Sequence, residues 1–480
     1  MPRPFSISRK ILRMSEKEKP KLKPSNENAW YCLATVYGEQ EGKGDENLAK
    51  QNRMAWNRWM AVALSQEQRA ELLKKGVDEL ELTPLKAEER VAFLKAFATR
   101  TIGALPDPSE TVDFRGVHFE RPAPFGGFIF PTDALFDGAA FDQFAGFLKT
   151  VFLRNAIFHK TVFSDMAYFH GTAFADMVSF LEATFSSHFF FKDATVSGLV
   201  FFTKATGFGR ADFSGTSFSR LALFSQTIFH TVADFKNVKF LDDASFDQAT
   251  FANNVFFGNS IFAGAADFSG AEFAGIADFI SCEFKSHTSF VGAKFKACVP
   301  AFFDTRLPEA IVWGKSEWPL PSKDTNAALQ QAVAYERLKA EMDRLNRHVE
   351  AQFFFAKELR AQREGEPSYS PQRAFNFAYQ ILGFYGASAE LPILWLWVLF
   401  VLGFGFFALV PVYKSAPLGY DEAAGLSFTN LISFLPYKPN KEIFDGLSPI
   451  AKIIGDLQSL LGVILLFLLG LALRNRFRMK

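Results

Sequence analysis

The chain's strongest constraint is a spacing. Stepping by 11 residues from Phe114 meets phenylalanine at 17 of 17 positions, ending at Phe290. An interleaved series from Phe119 to Phe295 has the same 17 positions, and only Val196 and Gly207 interrupt it. In "ADFSGAEFAGIADF", residues 266–279, the rings fall five and then six residues apart, each with a small residue two places before it. A repeat this regular decides the architecture before any local propensity does.

Neither a helix nor one continuous strand accounts for it. On a helix the step of 11 returns nearly to one side, but the step of five lands about 140° away and makes two separate stripes. The intervening Gly, Ser, Thr, Asp and Val are also poor helix formers. On a straight strand a step of five reverses the face. A strand that bends once per repeat resolves the conflict: Ala266 and Phe268 share the inner face, and Asp267, Glu272 and Asp278 face out. The sequence therefore predicts a solenoid of very short strands and turns.

This [A/T/V]-x-F-x-x unit resembles that of pentapeptide-repeat proteins, here centred on Phe rather than the commoner Leu and written as an 11-residue double unit. The resemblance covers residues 112–300 and implies a right-handed quadrilateral β-helix, mainly β in class. Two double units per turn give eight or nine coils, a rod of roughly 40 Å at about 4.8 Å per coil. Phe114, Phe158, Phe213, Phe229, Phe268, Phe273, Phe279 and Phe290 represent the core ladder, each worth roughly 1.5–3 kcal/mol on burial. The gaps at Val196 and Gly207, with Phe208 following the second, suggest a local bulge or bend.

Charge and composition exclude several functions. The net charge of +1 argues against nucleic acid as a partner of the whole chain. Residues 112–300 hold 14 Lys+Arg and 18 Asp+Glu, a mild balance of −4. Some proteins of the resembled family imitate DNA and bind gyrase, and so mild a charge disfavours that use. Cys32, Cys282 and Cys298 have no metal or redox spacing, and Cys282 occupies the small-residue slot before Phe284. His159 and His170 are 11 apart, hence on opposite faces of a four-sided coil, and His230 stands alone after Phe229. With no phosphate loop, HExxH or nucleophile beside a base, the chain reads as non-enzymatic, without metal or cofactor.

The remaining segments set the organisation. Residues 1–25 read as a basic disordered arm, and 26–103 as a helical N-terminal region that caps the first coil, with helices over 46–75 and 84–100. Its Trp- and Tyr-bearing stretches resemble the helical leader of bacterial membrane pentapeptide-repeat proteins. Residues 301–325 read as a C-terminal cap or linker and 326–366 as one amphipathic helix. In the module 374–480, "LPILWLWVLFVLGFGFFALVPVY" at 391–413 runs 23 residues without a charge, and a second apolar stretch covers 453–473. Both suit a bilayer core of about 30 Å, which makes this an α-helical membrane hairpin. Arg360, Arg363 and Arg373 before the first, and Arg474, Arg476, Arg478 and Lys480 after the second, predict cytoplasmic termini and a cytoplasmic rod at the cell inner membrane.

Between the spans, "GLSFTNLISFLPY" at 425–437 suits a short re-entrant helix. The order of span, short helix and span resembles the pore module of two-span potassium channels, with Gly462 where such helices often carry glycine. Thr429, Asn430 and Ser433 are then the pore-helix candidates. The filter place reads "LPYKPNKE" instead of the Thr-Val-Gly-Tyr-Gly loop that usually supplies a row of backbone carbonyls, which departs from a selective filter. The leading expectation is a membrane-anchored scaffold whose partners are the lipid bilayer and an unidentified protein. A channel-like pore regulated by the rod, a homo-oligomer of four copies, stands second, and a gyrase-binding DNA mimic a distant third.

Overall fold

The computed structural model describes residues 22–41, 45–413, 416–432 and 441–478. They form two compact units, Met1–Pro319 and Leu320–Lys480. Most of the basic arm lies outside the described residues, as do Ser433 and the "LPYKPN" part of the expected filter segment.

In the first unit, two-residue strands wind into a solenoid of four parallel sheets with 10, 10, 8 and 8 strands, about nine turns. We number the faces in chain order from the strands Val112–Asp113, Val117–Phe119, Ala123–Pro124 and Ile129–Phe130. Each strand pairs with its counterpart 22 residues on, as Ala156 with Val178 and Val162 with Thr184. Rings consequently stack coil on coil: Phe141, Phe163 and Phe185 have centroids 5.0 Å apart and planes within 5°. All eight ladder phenylalanines named above are buried.

The five-residue step contains a tight turn whose third residue is left-handed, such as Gly116 at φ 65° and Lys160 at φ 54°. Position 2 of the small-residue slot is also used polarly. Thr150, Thr161, Thr172, Thr216 and Thr227 are buried there, each donating its hydroxyl to a carbonyl of the coil before, at 2.6–2.8 Å.

Neither gap in the ladder breaks the pairing. At Gly207, φ +105°, Phe208 places its ring one residue late, stacked 4.6 Å from Phe185 and 4.9 Å from Phe229. At Val196, the ring comes from the neighbouring series, as Phe191 leans between Phe174 and Phe218.

The solenoid also runs past residue 300, so the stretch expected to be a cap or linker contributes a further coil. Seven residues rather than six separate Phe295 from Phe302, so the last coil pairs 23 residues on: Thr288 with Ile311, and Lys294 with Glu317. Trp313 stacks 4.9 Å from Phe290 and Trp318 lies 5.0 Å from Phe295, so two indoles close the core.

The helical leader covers the opposite end. The helices are α1 (Ala29–Ala34), α2 (Glu46–Met60), α3 (Gln66–Lys74) and α4 (Ala87–Arg100). The single helix expected over 46–75 is divided because Ser65 caps α3 in a capping box with Gln68. The strand Lys23–Pro24 extends the second sheet onto Val117. Trp56 of α2 donates to the Ile129 carbonyl at 2.9 Å, while Asn57 accepts from the Ile129 N–H at 2.8 Å and donates to Gly127 at 3.0 Å. Two side chains thus satisfy the backbone of the first coil's open edge, where a further coil would otherwise pair.

The second unit is helical: α5 (Thr325–Arg344), α6 (His348–Gly365), α7 (Pro371–Gly383), α8 (Glu390–Leu409), α9 (Tyr420–Leu431), α10 (Lys441–Gly446) and α11 (Pro449–Arg478). The one helix expected over 326–366 is instead a hairpin. Asn346 adopts φ 57°, and the Arg347 N–H bonds back to Met342 at 2.8 Å, which ends α5 and reverses the chain. Lys339 and Glu358 pair across the hairpin at 2.6 Å.

Candidate binding surfaces and the apolar module

On a solenoid whose core is rings, chemistry resides on outward positions. Along the third face these are Gly146, Tyr168, Phe190, Asp212 and Asp234 in successive coils. The Phe144 ring leans over Gly146, where a Cβ would lie only 2.7 Å from it. Phe144, Tyr168 and Phe190 therefore form an outward aromatic strip with centroid spacings of 6.0 and 5.2 Å. His170 and His188 flank it, each about 6 Å from a ring of the strip. Reading the core rings alone misses this strip; its signal is the extra aromatic in "FDQF", "AYF" and "HFFF".

The other titratable groups sit apart. His159, on the first face, contacts Ser179 at 2.7 Å and Asp137 at 3.3 Å. His170 follows a strand of the third face, and His230 one of the second. Among the described residues no group of three His, Cys, Asp or Glu side chains is arranged to hold a metal. Cys32 and Cys282 are buried free thiols, and Cys298 is half-buried. Cys282 stands in the threonine slot, its sulfur 3.1 Å from the Phe257 carbonyl, and burial pushes its pKa up to about 12. Asp247 is raised by burial and by Asp267 nearby.

In the second unit, α8 and α11 are long and apolar enough to cross a membrane. Only 22% and 28% of their most apolar windows are buried, unlike the core helix of a soluble protein. The segment expected to form a short helix at 425–437 does so earlier, as α9, packed on both. Here the polar candidates separate. The Asn430 amide contacts Gln458 at 3.2 Å, whereas Thr429 bonds its own helix backbone through Gly425 and Leu426. Gly462 is a packing position: a Cβ there would lie 2.7 Å from the Leu431 carbonyl oxygen, so glycine lets α9 seat on α11. Ser427 and Gln458, both buried and not singled out from sequence, complete the network. Gln458 donates to Ser427 at 2.7 Å, and Ser427 donates to the Phe400 carbonyl at 2.9 Å. The only sequence signal was Gln458 itself, a polar residue inside an apolar run.

Residues 224–272 and 257–299 match the family model for pentapeptide repeats (9 copies). No curated protein and no solved structure matches the chain. The 22-residue register found within the matched segment begins before it, at Val112, and passes to a 23-residue register in the indole-capped last coil. The chain thus carries pentapeptide repeats within a Phe-cored β-solenoid, joined to a helical unit with two helices long and apolar enough to span a membrane.

Proposed function

We propose that the chain is a non-enzymatic, membrane-anchored scaffold whose solenoid binds a protein partner through its third face. The outward Phe144–Tyr168–Phe190 strip carries this reading, because three adjacent half-buried rings offer apolar area that intracoil packing does not use up. The exposed apolar sides of α8 and α11 support anchoring through two spans in the cell inner membrane. Basic flanks at Arg373 and at Arg474 and Arg476 favour both termini and the solenoid on the cytoplasmic side. The partner is a protein segment with aromatic or aliphatic side chains, and the module also supports self-association.

The test is photocrosslinking in cells from a probe at position 168, compared with one at Thr250 on the second face. A discrete adduct from 168 alone, lost when Phe144 and Phe190 become serine, is the expected result. Equal or absent adducts from both positions overturn the proposal. A second reading, a channel-like pore, draws on α9 seated between the two apolar helices with Asn430, Ser427 and Gln458 in contact. Reproducible single-channel currents from reconstituted protein, abolished by deleting residues 425–437, would favour it over the scaffold.

A further inference from the structure

Helix α7 is built inside out. Its polar residues turn inward: Asn376 donates to the Leu359 carbonyl at 2.8 Å and accepts from the Tyr385 hydroxyl at 3.0 Å. Gln380 accepts from Arg363 at 2.5 Å. The opposite side carries Phe375 and Ile381, which are 76% and 39% exposed, with Phe377 at its edge at 53% and Phe384 just beyond at 41%. Residues 374, 375, 378 and 381 recur at helical spacing and every one is apolar. A helix facing water shows the reverse arrangement.

We propose that this face of α7 lies in the interfacial layer of the bilayer, parallel to its surface, with the rings among the upper acyl chains. Three observations select lipid as the occupant. First, α7 runs directly into α8: Phe384 and Tyr385 at φ 48° and 58° make the turn, and the Trp395 indole of α8 donates to the Ile381 carbonyl at 3.1 Å. The exposed rings are therefore continuous with the apolar surface of a candidate span. Second, the exposed face between 371 and 384 has no acidic residue. Third, guanidinium groups edge it, Arg360 at 5.1 Å from the Phe384 ring and Arg363 at 5.5 Å from Phe377, which suits anionic headgroups above a buried apolar face. Burial to about 5–10 Å is usual for such helices. The proposal rests on the membrane reading of α8 and α11, and fixes where the helical hairpin α5–α6 meets the lipid surface.

The test uses the full chain in vesicles containing anionic lipid, with Cys298→Ala as background because Cys32 and Cys282 are buried. Nitroxide labels are placed singly at 375, 381, 376 and 402. Labels at 375 and 381 should collide with oxygen at least about threefold more than with a water-soluble nickel chelate, as expected of an interfacial helix. The label at 376, on the packed side, should meet little of either. Preferential access of the chelate at 375 and 381, or access of neither reagent, overturns the proposal. Leu402 of α8, 65% exposed, separates the two failures: chelate access there overturns the membrane reading itself, while oxygen access at 402 with chelate access at 375 overturns only the interfacial placement. If a labelled variant misfolds, Phe375→Trp gives the same decision through quenching by acyl-brominated lipid, which should occur and whose absence overturns the proposal.

Discussion

Phe189 and Val196 are a compensating pair. Val196 holds a ladder position between Phe174 and Phe218 without a ring. Phe191 leans into that space, its plane within 14° of Phe174 at 5.7 Å and within 13° of Phe218 at 6.4 Å. Phe189, in register with Ala167 and Ala211, then fills what Phe191 left, 5.8 Å from Phe169 and 5.5 Å from Phe213.

The pair predicts strong coupling. Phe189→Ala should destabilise by about 3–5 kcal/mol, and Val196→Phe by about 1–3 kcal/mol through overpacking. In the double variant the new ring takes the ladder position, Phe191 returns to its column and the alanine matches its neighbours. The double should therefore cost less than the sum by at least about 1 kcal/mol, measured by denaturant melts followed by circular dichroism. Strict additivity would refute the compensation.

Gly207 should tolerate no side chain. A Cβ there would sit 2.1 Å from the Phe185 oxygen, on a backbone at φ +105°. Gly207→Ala should cost at least about 2 kcal/mol, whereas Gly405→Ala, in the interior of α8 with nothing within 4 Å of its Cβ, should be neutral or slightly stabilising. Similar melting temperatures for the two variants would contradict the close approach.

Asn57 should hold the first coil shut. Its amide bonds the backbone on both sides of the strand start, and Glu81 accepts from it at 2.6 Å. Asn57→Ala should cost about 2–4 kcal/mol, since the buried Ile129 N–H and the half-buried Gly127 carbonyl lose their partner. Hydrogen exchange should accelerate at the Ile129 amide and its coil well before it does at Phe268. Unchanged exchange at Ile129 would show that the cap is not closed through this residue.

Cys282 predicts an alkaline limit. Burial raises the folded-state value of an acid group from an ordinary 9.0 to about 12, so the neutral thiol's contribution is full below pH 9 and is lost as pH rises toward 12. Stability should fall across that window in the native chain. Cys282→Thr, which supplies the slot's usual hydroxyl donor, should abolish this component and be nearly neutral at pH 7. The thiol should also resist alkylation at pH 8 until the fold is melted.

Legibility differed by element for physical reasons. The core ladder was plain because each ring repeats its own environment 22 residues later, so periodicity reports contact. The same logic hid the last coil: one extra residue between Phe295 and Phe302, together with tryptophan in place of phenylalanine, ends the numerical pattern without ending the stack. The α5–α6 hairpin was read as one helix because the apolar spacing is nearly continuous across it, while the reversal depends on one left-handed asparagine. In the apolar module, Asn430 and Gly462 were picked out, but their roles as a contact of Gln458 and as a seat for Leu431 come from partners far away in sequence.

Sequence alone determined that the middle of this chain is a solenoid, since only a coil of fixed length turns an 11-residue spacing into a continuous buried column. Tertiary structure decided what fills the defects in that column, which rings face outward, and which side of α7 is polar. Those depend on residues brought together across coils and helices, where a ring from one strand can serve the position of another, and no local period records the exchange.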